Sequence, residues 1–208
     1  VAALYTDNFN RADETPLNAT TWPLTGTGSF NLATNQVSHP NDANDNEVYY
    51  SAASALGDQY CQVKFTKAPG DASEQGVGVV CRHIASGATR TFIRAVVDNS
   101  GAITVRAFAA GTGTLIGSNA GTFTTGDVLR MEVTGTSPNI VVKVFKNGVQ
   151  VGVNFTGVTG PNTGKPGMCF SSSTSNTMTL DDWEAGDFSV GGAPHPFEPI
   201  PFISPRRM

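Results

Sequence analysis

Acidic side chains offer the first candidate chemistry. Asp181-Asp-Trp-Glu184 is the densest carboxylate cluster, and on a strand Asp182 and Glu184 would share a face while Asp181 lies opposite. Such a pair could supply a nucleophile and an acid, but carboxylates also blunt the edges of sheets. The second role is the expectation. The most ligand-like stretch is Asn41-Asp-Ala-Asn-Asp-Asn-Glu47. Asp42, Asn44 and Asn46 stand where a calcium loop carries its first oxygen ligands, yet Glu47 takes the place of its glycine and Ala53 that of its closing glutamate. Asx turns explain the same residues without a ligand. Asp42, Asn44 and Asp45 are therefore kept as candidates for a looser calcium or sugar contact, with Trp22 as a ring that could stack on a sugar. Trp183 is read as core.

Other chemistries find no matching pattern. His39, His83 and His195 have no second metal ligand at short spacing, so no metal site is expected. Ser171-Ser-Ser-Thr-Ser175 lacks the Gly-x-Ser-x-Gly elbow of hydrolases and reads as a turn. No glycine-rich run ends in the Lys-Ser/Thr of a phosphate-binding loop. The expectation is a protein without catalytic residues or cofactor.

The elements that must position these residues follow from composition and periodicity. The chain has 208 residues, 39% apolar and only 14% charged, against roughly 25% charged in an average domain. That excludes a highly charged disordered chain and fits one all-β domain or two small ones. Net charge is −4, which leaves no basic surface for many phosphates, so nucleic acid is not an expected partner. No apolar run approaches the roughly 18 residues of a membrane helix, and no membrane partner is expected. The three cysteines Cys61, Cys81 and Cys169 leave at least one unpaired. They are read as reduced core thiols, and with no signal-peptide pattern at Val1-Ala-Ala-Leu4 the expectation is folding in a reducing compartment.

Short strands separated by Gly, Asn, Asp and Ser turns run from residue 4 to residue 190. Cys61, Val63 and Phe65 alternate with Gln62 and Lys64, and Val77, Val79 and Cys81 share one side of the next strand. Phe92–Val97 and Ala102–Phe108 flank the turn Asp98-Asn-Ser-Gly101, and Ile140–Val151 is a hairpin around Asn147-Gly148. Strands that each bury one face stack as two sheets. The predicted fold is an all-β, two-sheet antiparallel β-sandwich (jelly roll) over residues 1–190, followed by a proline-rich extended arm over 191–208.

The opening Asp7-Asn-Phe-Asn-Arg-Ala-Asp13 with Leu17 and Trp22, the hairpin Val142–Val151, Pro166-Gly-Met168 and the closing Leu180–Asp187 occur in an order that resembles concanavalin A-like lectin/glucanase (laminin-G-like) jelly rolls. Glycoside hydrolases of that superfamily carry a Glu-x-Asp-x-Glu strand. Here Glu14, Glu47, Glu74, Glu132, Glu184 and Glu198 all lack that neighbourhood, so the resemblance implies a non-enzymatic member. A jelly roll with an appended arm also resembles phage virion proteins, both capsid decoration proteins and tail or fibre components. The resemblance therefore implies a virion structural protein assembled in the host cytoplasm and repeated as a homo-oligomer on the particle. Phe197, Ile200, Phe202, Ile203, Arg206 and Arg207 of the arm would dock on capsid or tail proteins. The alternative is a carbohydrate-binding module of a secreted or surface protein, gripping a glycan.

Overall fold

Alternation builds the strands, and nonlocal pairing arranges them. In the computed structural model, residues 4–26, 28–39, 45–70, 74–85, 87–173 and 178–187 are described. The arm 191–208, with all six of its expected docking residues, and the loop residues Asp42 and Asn44 lie outside the described residues.

One sheet contains β1 (Leu4–Asp7), β2 (Asn31–Ala33), β3 (Gln36–Ser38), β5 (Gln59–Lys67), β10 (Val128–Thr134), β11 (Ile140–Lys146), β12 (Val149–Gln150), β13 (Phe155–Val158) and β15 (Thr179–Asp187). Its main path runs β12-β11-β10-β5-β15-β3-β2, with β1 also on β15 and β13 also on β11. The other sheet contains β4 (Asn46–Tyr49), β6 (Glu74–Ala85), β7 (Thr91–Val97), β8 (Ile103–Ala109), β9 (Thr112–Asn119) and β14 (Lys165–Ser173). Its order is β4-β14-β6-β7-β8-β9, and every pair in both sheets is antiparallel. No helix among the described residues is long and apolar enough to cross a membrane.

The two inner faces meet in one apolar core. From the nine-stranded sheet come Cys61, Val63, Phe65, Leu129, Met131, Val133, Val142, Leu180 and Trp183, and from the six-stranded sheet Val77, Val79, Cys81, Ile93, Ala95, Val105, Met168 and Phe170. Removing this much apolar surface from water is the main stabilising term of such a sandwich. The β11–β12 hairpin closes as expected, because Asn147 (φ 51°) and Gly148 (φ 80°) supply the two left-handed residues a type I′ turn requires. Cys61, Cys81 and Cys169 are unpaired thiols buried in the protein. Burial pushes the Cys61 thiol up to about 12, so it packs rather than reacts.

Two of the bulges change which residues face outward. Arg82 adopts φ 55° where the β6 register shifts, and its buried guanidinium donates to the carbonyls of Gly57 (2.8 Å), Pro161 (3.1 Å) and Gly135 (2.8 Å). Asp182 adopts φ 48° where β15 slips against β5. Asp181 pairs with Lys64 and Glu184 with Gln62, so the step along β15 is one residue longer than the step it opposes on β5.

Candidate functional site

The six-stranded sheet turns one face to the core and the other away from it. Alternation places Asp45, Glu47 and Tyr49 at one edge of the outward face. Cys169 and Ser171 of β14, Val80 of β6, Phe92, Arg94 and Val96 of β7, and Thr104, Arg106 and Phe108 of β8 continue it. Val80, Phe92, Val96, Phe108 and Cys169 form a second, smaller apolar cluster on this face. Rings stack across four strands over it: Tyr49 on His83 (5.0 Å), His83 on Phe92 (5.6 Å) and Phe92 on Phe108 (4.5 Å between centroids). The bulge at Arg82 is what returns His83 to this face. The row of rings ends at Gly113 of β9, where a Cβ would meet the Phe108 ring at 2.7 Å, so only glycine leaves room for it.

Beside the rings lies a charge cluster. Arg94 donates to Asp45 Oδ2 (2.9 Å) and Glu47 Oε1 (3.3 Å), and Arg90 donates to Glu47 Oε2 (3.0 Å) and to the Asp45 carbonyl (2.9 Å). Ser171 Oγ donates to Asp45 Oδ1 at 2.6 Å. The register sets Cys169 and Gly78 in the row that joins Glu47 to Val96, one step along the face from Arg94. The Arg94 guanidinium also lies 4.8 Å from the Phe108 ring centre. Glu47 is fully buried. Burial pushes its carboxyl upward, and that outweighs the opposing pull of Arg90 and Arg94. Burial, with a smaller contribution from Arg90, lowers His83 to about 4, so its ring is neutral at neutral pH.

An open cleft of about 490 Å³ lies on this face, lined by Asp45, Arg90, Arg94, Arg106, Asp98 and Thr104 among others. Asp98 holds its own turn, accepting at Oδ1 from Ser100 N (2.8 Å), Ser100 Oγ (2.6 Å) and Ala102 N (3.1 Å). Polar groups of this kind, converging on a concave surface, suit a hydroxyl-rich ligand. Among the described residues, no group of three or more His, Cys, Asp or Glu is placed to hold a metal ion.

Of the sugar-contact candidates within the described residues, Asp45 lines this cleft and Trp22 does not. Trp22 requires a correction. Its ring is 1% exposed, packs edge-on against Trp183 at 4.8 Å, and its Nε1 donates to Asp7 Oδ2 at 2.9 Å. A ring with no free face cannot stack on a sugar. Trp183 is core, as expected, and its Nε1 donates to Cys61 Sγ at 3.1 Å.

The carboxylates of β15 also sit differently. The strand is interior to its sheet, with β5 on one side and β1 and β3 on the other, so they blunt no edge. The bulge brings Asp181 to the same outward side as Glu184, opposite the outward Lys64 and Gln62. Glu184 accepts from the Tyr60 hydroxyl at 2.7 Å, and Asp182 meets Lys64 at 3.5 Å. Asp182 is exposed, while Asp181 and Glu184 are half-buried.

Sequence reasoning gave no role to Glu47, Arg90, Arg94, Thr104 or Arg106, and it read Ser171 as part of a turn, whereas Ser171 to Ser173 continue β14. A signal was present: Arg94 and Arg106 are the charged residues of two largely apolar strands, where an arginine calls for a polar partner or a solvent-facing site.

No family model and no curated protein matches the chain. Solved structures do resemble it. The carbohydrate binding module CBM66 from Bacillus subtilis superposes with a TM-score of 0.57 at 12% identity, covering 80% of this chain and 92% of that one. The exoplasmic/lumenal domain of VIP36, in a Ca2+/Man3GlcNAc-bound form, gives 0.59 at 13% identity over 85% and 87%. A prokaryotic β-1,3-1,4-glucanase (lichenase) from a mouse hindgut metagenome gives 0.58 at 10% identity over 88% and 98%. At such identities the likeness is one of fold, the two-sheet antiparallel β-sandwich.

Proposed function

We propose that the protein is a carbohydrate-binding module whose glycan lies in the cleft on the outward face of the six-stranded sheet. The observation that carries this reading is the cleft itself, about 490 Å³ and open to solvent. Its charged floor is fixed in place by mutual hydrogen bonds before any ligand arrives. A preorganised polar surface of this kind loses little entropy on binding. The names of similar structures support it: a carbohydrate-binding module, and a domain bound to Man3GlcNAc.

Binding without turnover fits the carboxylates. A glycosidase needs a carboxyl in contact with the leaving oxygen and a second one across the scissile bond. Glu47 is enclosed, and both of its oxygens are occupied by arginines. Asp45 is held by Arg94 and Ser171. These acids anchor the arginines instead of meeting a sugar. The lumenal domain among the similar structures favours a secreted or surface setting. The virion reading draws no support from the described residues, because its docking arm lies outside them.

The test is a glycan array followed by calorimetry on the wild type and Thr104→Trp, which fills the cleft from a strand position whose backbone is undisturbed. Wild-type binding that disappears in Thr104→Trp, with no sugar released from the bound oligosaccharide, is the expected result. Retention of binding by the filled variant would place the glycan elsewhere.

A further inference from the structure

We propose that the cleft selects a saccharide carrying a carboxylate, a uronic acid residue or its equivalent, and that Arg106 is the group that takes the anion. This deepens the glycan reading and rests on it.

The three arginines of the cleft are used differently. Arg90 and Arg94 are both spent on Asp45 and Glu47. Arg106 lines the same cleft; its backbone belongs to the β8 ladders, yet its side chain makes no hydrogen bond, ion pair or ring contact with any described residue. Its strand neighbours provide no counter-ion. Across β7 it faces Arg94, and across β9 it faces Leu115, which is 54% exposed. Like charges directly opposite one another in a sheet are unfavourable. Asp45 and Glu47 offset the charge of Arg94, but among the described residues Arg106 has no ion-pair partner of its own, and such a position is where a ligand can supply the missing one.

The chemistry of the partner follows from the guanidinium. Its planar fork of donors matches the two oxygens of a carboxylate better than a lone hydroxyl. One step along β8 on the same face stands Thr104. Alternate residues of a strand are about 7 Å apart, close to the span of one pyranose ring. A sugar acid can therefore set its carboxylate on Arg106 while its hydroxyls reach the Thr104 hydroxyl. Asp98 lies further along the same lining. Its Oδ1 is engaged by its own turn, and its Oδ2 can accept from a hydroxyl of the next ring. Exposed Leu115 gives the apolar face of a sugar a surface beside the charged group.

Calorimetry decides it, with oligogalacturonate and alginate oligomers each paired with its carboxyl-reduced neutral counterpart, and with neutral mannan and β-glucan oligomers alongside. The wild type is expected to bind at least one acidic oligomer ten-fold or more tighter than its reduced form. Arg106→Ala is expected to bring that acidic oligomer down to the affinity of the reduced one. Arg106→Lys, which keeps the charge and loses the fork, should fall between them. Thermal unfolding of Arg106→Ala at or above the wild-type midpoint shows that the loss is not misfolding. Equal wild-type affinity for acidic and reduced oligomers, or neutral oligomers alone being bound, overturns the carboxylate inference and leaves the glycan reading standing. A wild type that binds none of the panel overturns both.

Discussion

The outward faces of the two sheets begin from the same rule and end differently. On the nine-stranded sheet, Arg130 lies 3.9 Å over the Tyr60 ring and pairs with Glu132 at 2.9 Å, Tyr60 donates to Glu184, and Lys64 meets Asp182. The Lys64–Asp182 pair is nearly half exposed on both sides, whereas Arg130 and Glu132 are largely covered, their side chains 16% and 6% exposed. On the six-stranded sheet, the segment after β6 folds back over the strand ends. Gly87 N donates to the Thr25 carbonyl, Gly111 N to the Arg90 carbonyl, and Arg90 to Asp45. Glu47 is enclosed here and Arg94 is only 3% exposed. Outward alternation makes both faces polar; on the nine-stranded sheet the charges form separate pairs of differing exposure, and on the six-stranded sheet they join into one buried cluster beside a cleft.

The largest expected effect comes from cutting that cluster. Glu47→Ala leaves Arg94 buried with only Asp45, and should cost about 3–5 kcal/mol in urea unfolding. Glu184→Ala on the other face should cost about 1 kcal/mol or less, since water replaces its contacts. Equal losses would erase the distinction between the two faces.

The next effect is pH-dependent. His83 titrates at about 4 in the folded protein, below its ordinary 6.5. As pH falls, the unfolded chain therefore takes up its proton first. Stability contributed by the neutral ring is complete above 6.5 and is lost as pH falls to about 4, by about 2–3 kcal/mol. His83→Phe keeps a flat ring between Tyr49 and Phe92. Its unfolding free energy, measured at intervals from pH 7 to pH 4, should fall less than that of the wild type. Parallel curves would mean that the ring is hydrated and that this face is as open as the other.

The smallest effect belongs to Lys64→Ala. Its ion pair spans 3.5 Å between two exposed side chains, so a thermal midpoint shift should correspond to about 0.5 kcal/mol or less. A larger loss would show that the nine-stranded face also carries such a cluster.

Much of the architecture was legible because it is written in neighbouring residues. The period of two in Gln59–Lys67 marked β5 and its buried side, and Asn147-Gly148 marked a turn whose backbone few other pairs adopt. The bulges were not legible. Nothing adjacent to Asp182 announces its left-handed conformation, and that one extra residue moved Asp181 to the outward side. Trp22 was misplaced for a related reason: its pattern does not reveal that Phe9, Tyr50 and Trp183 close around it.

By itself the chain determined its class, since alternating apolar residues and left-handed turn residues act over a few positions and need no distant partner to declare them. Only tertiary structure decided the cleft. Ser171 and Asp45 are separated by 126 positions and Arg94 and Asp45 by 49, yet they share one hydrogen-bonded cluster. Strand order and register bring them together, and those depend on which faces the whole core can bury at once. The same packing left Arg106 with no counter-charge among the described residues, a property of its surroundings that its own strand does not reveal.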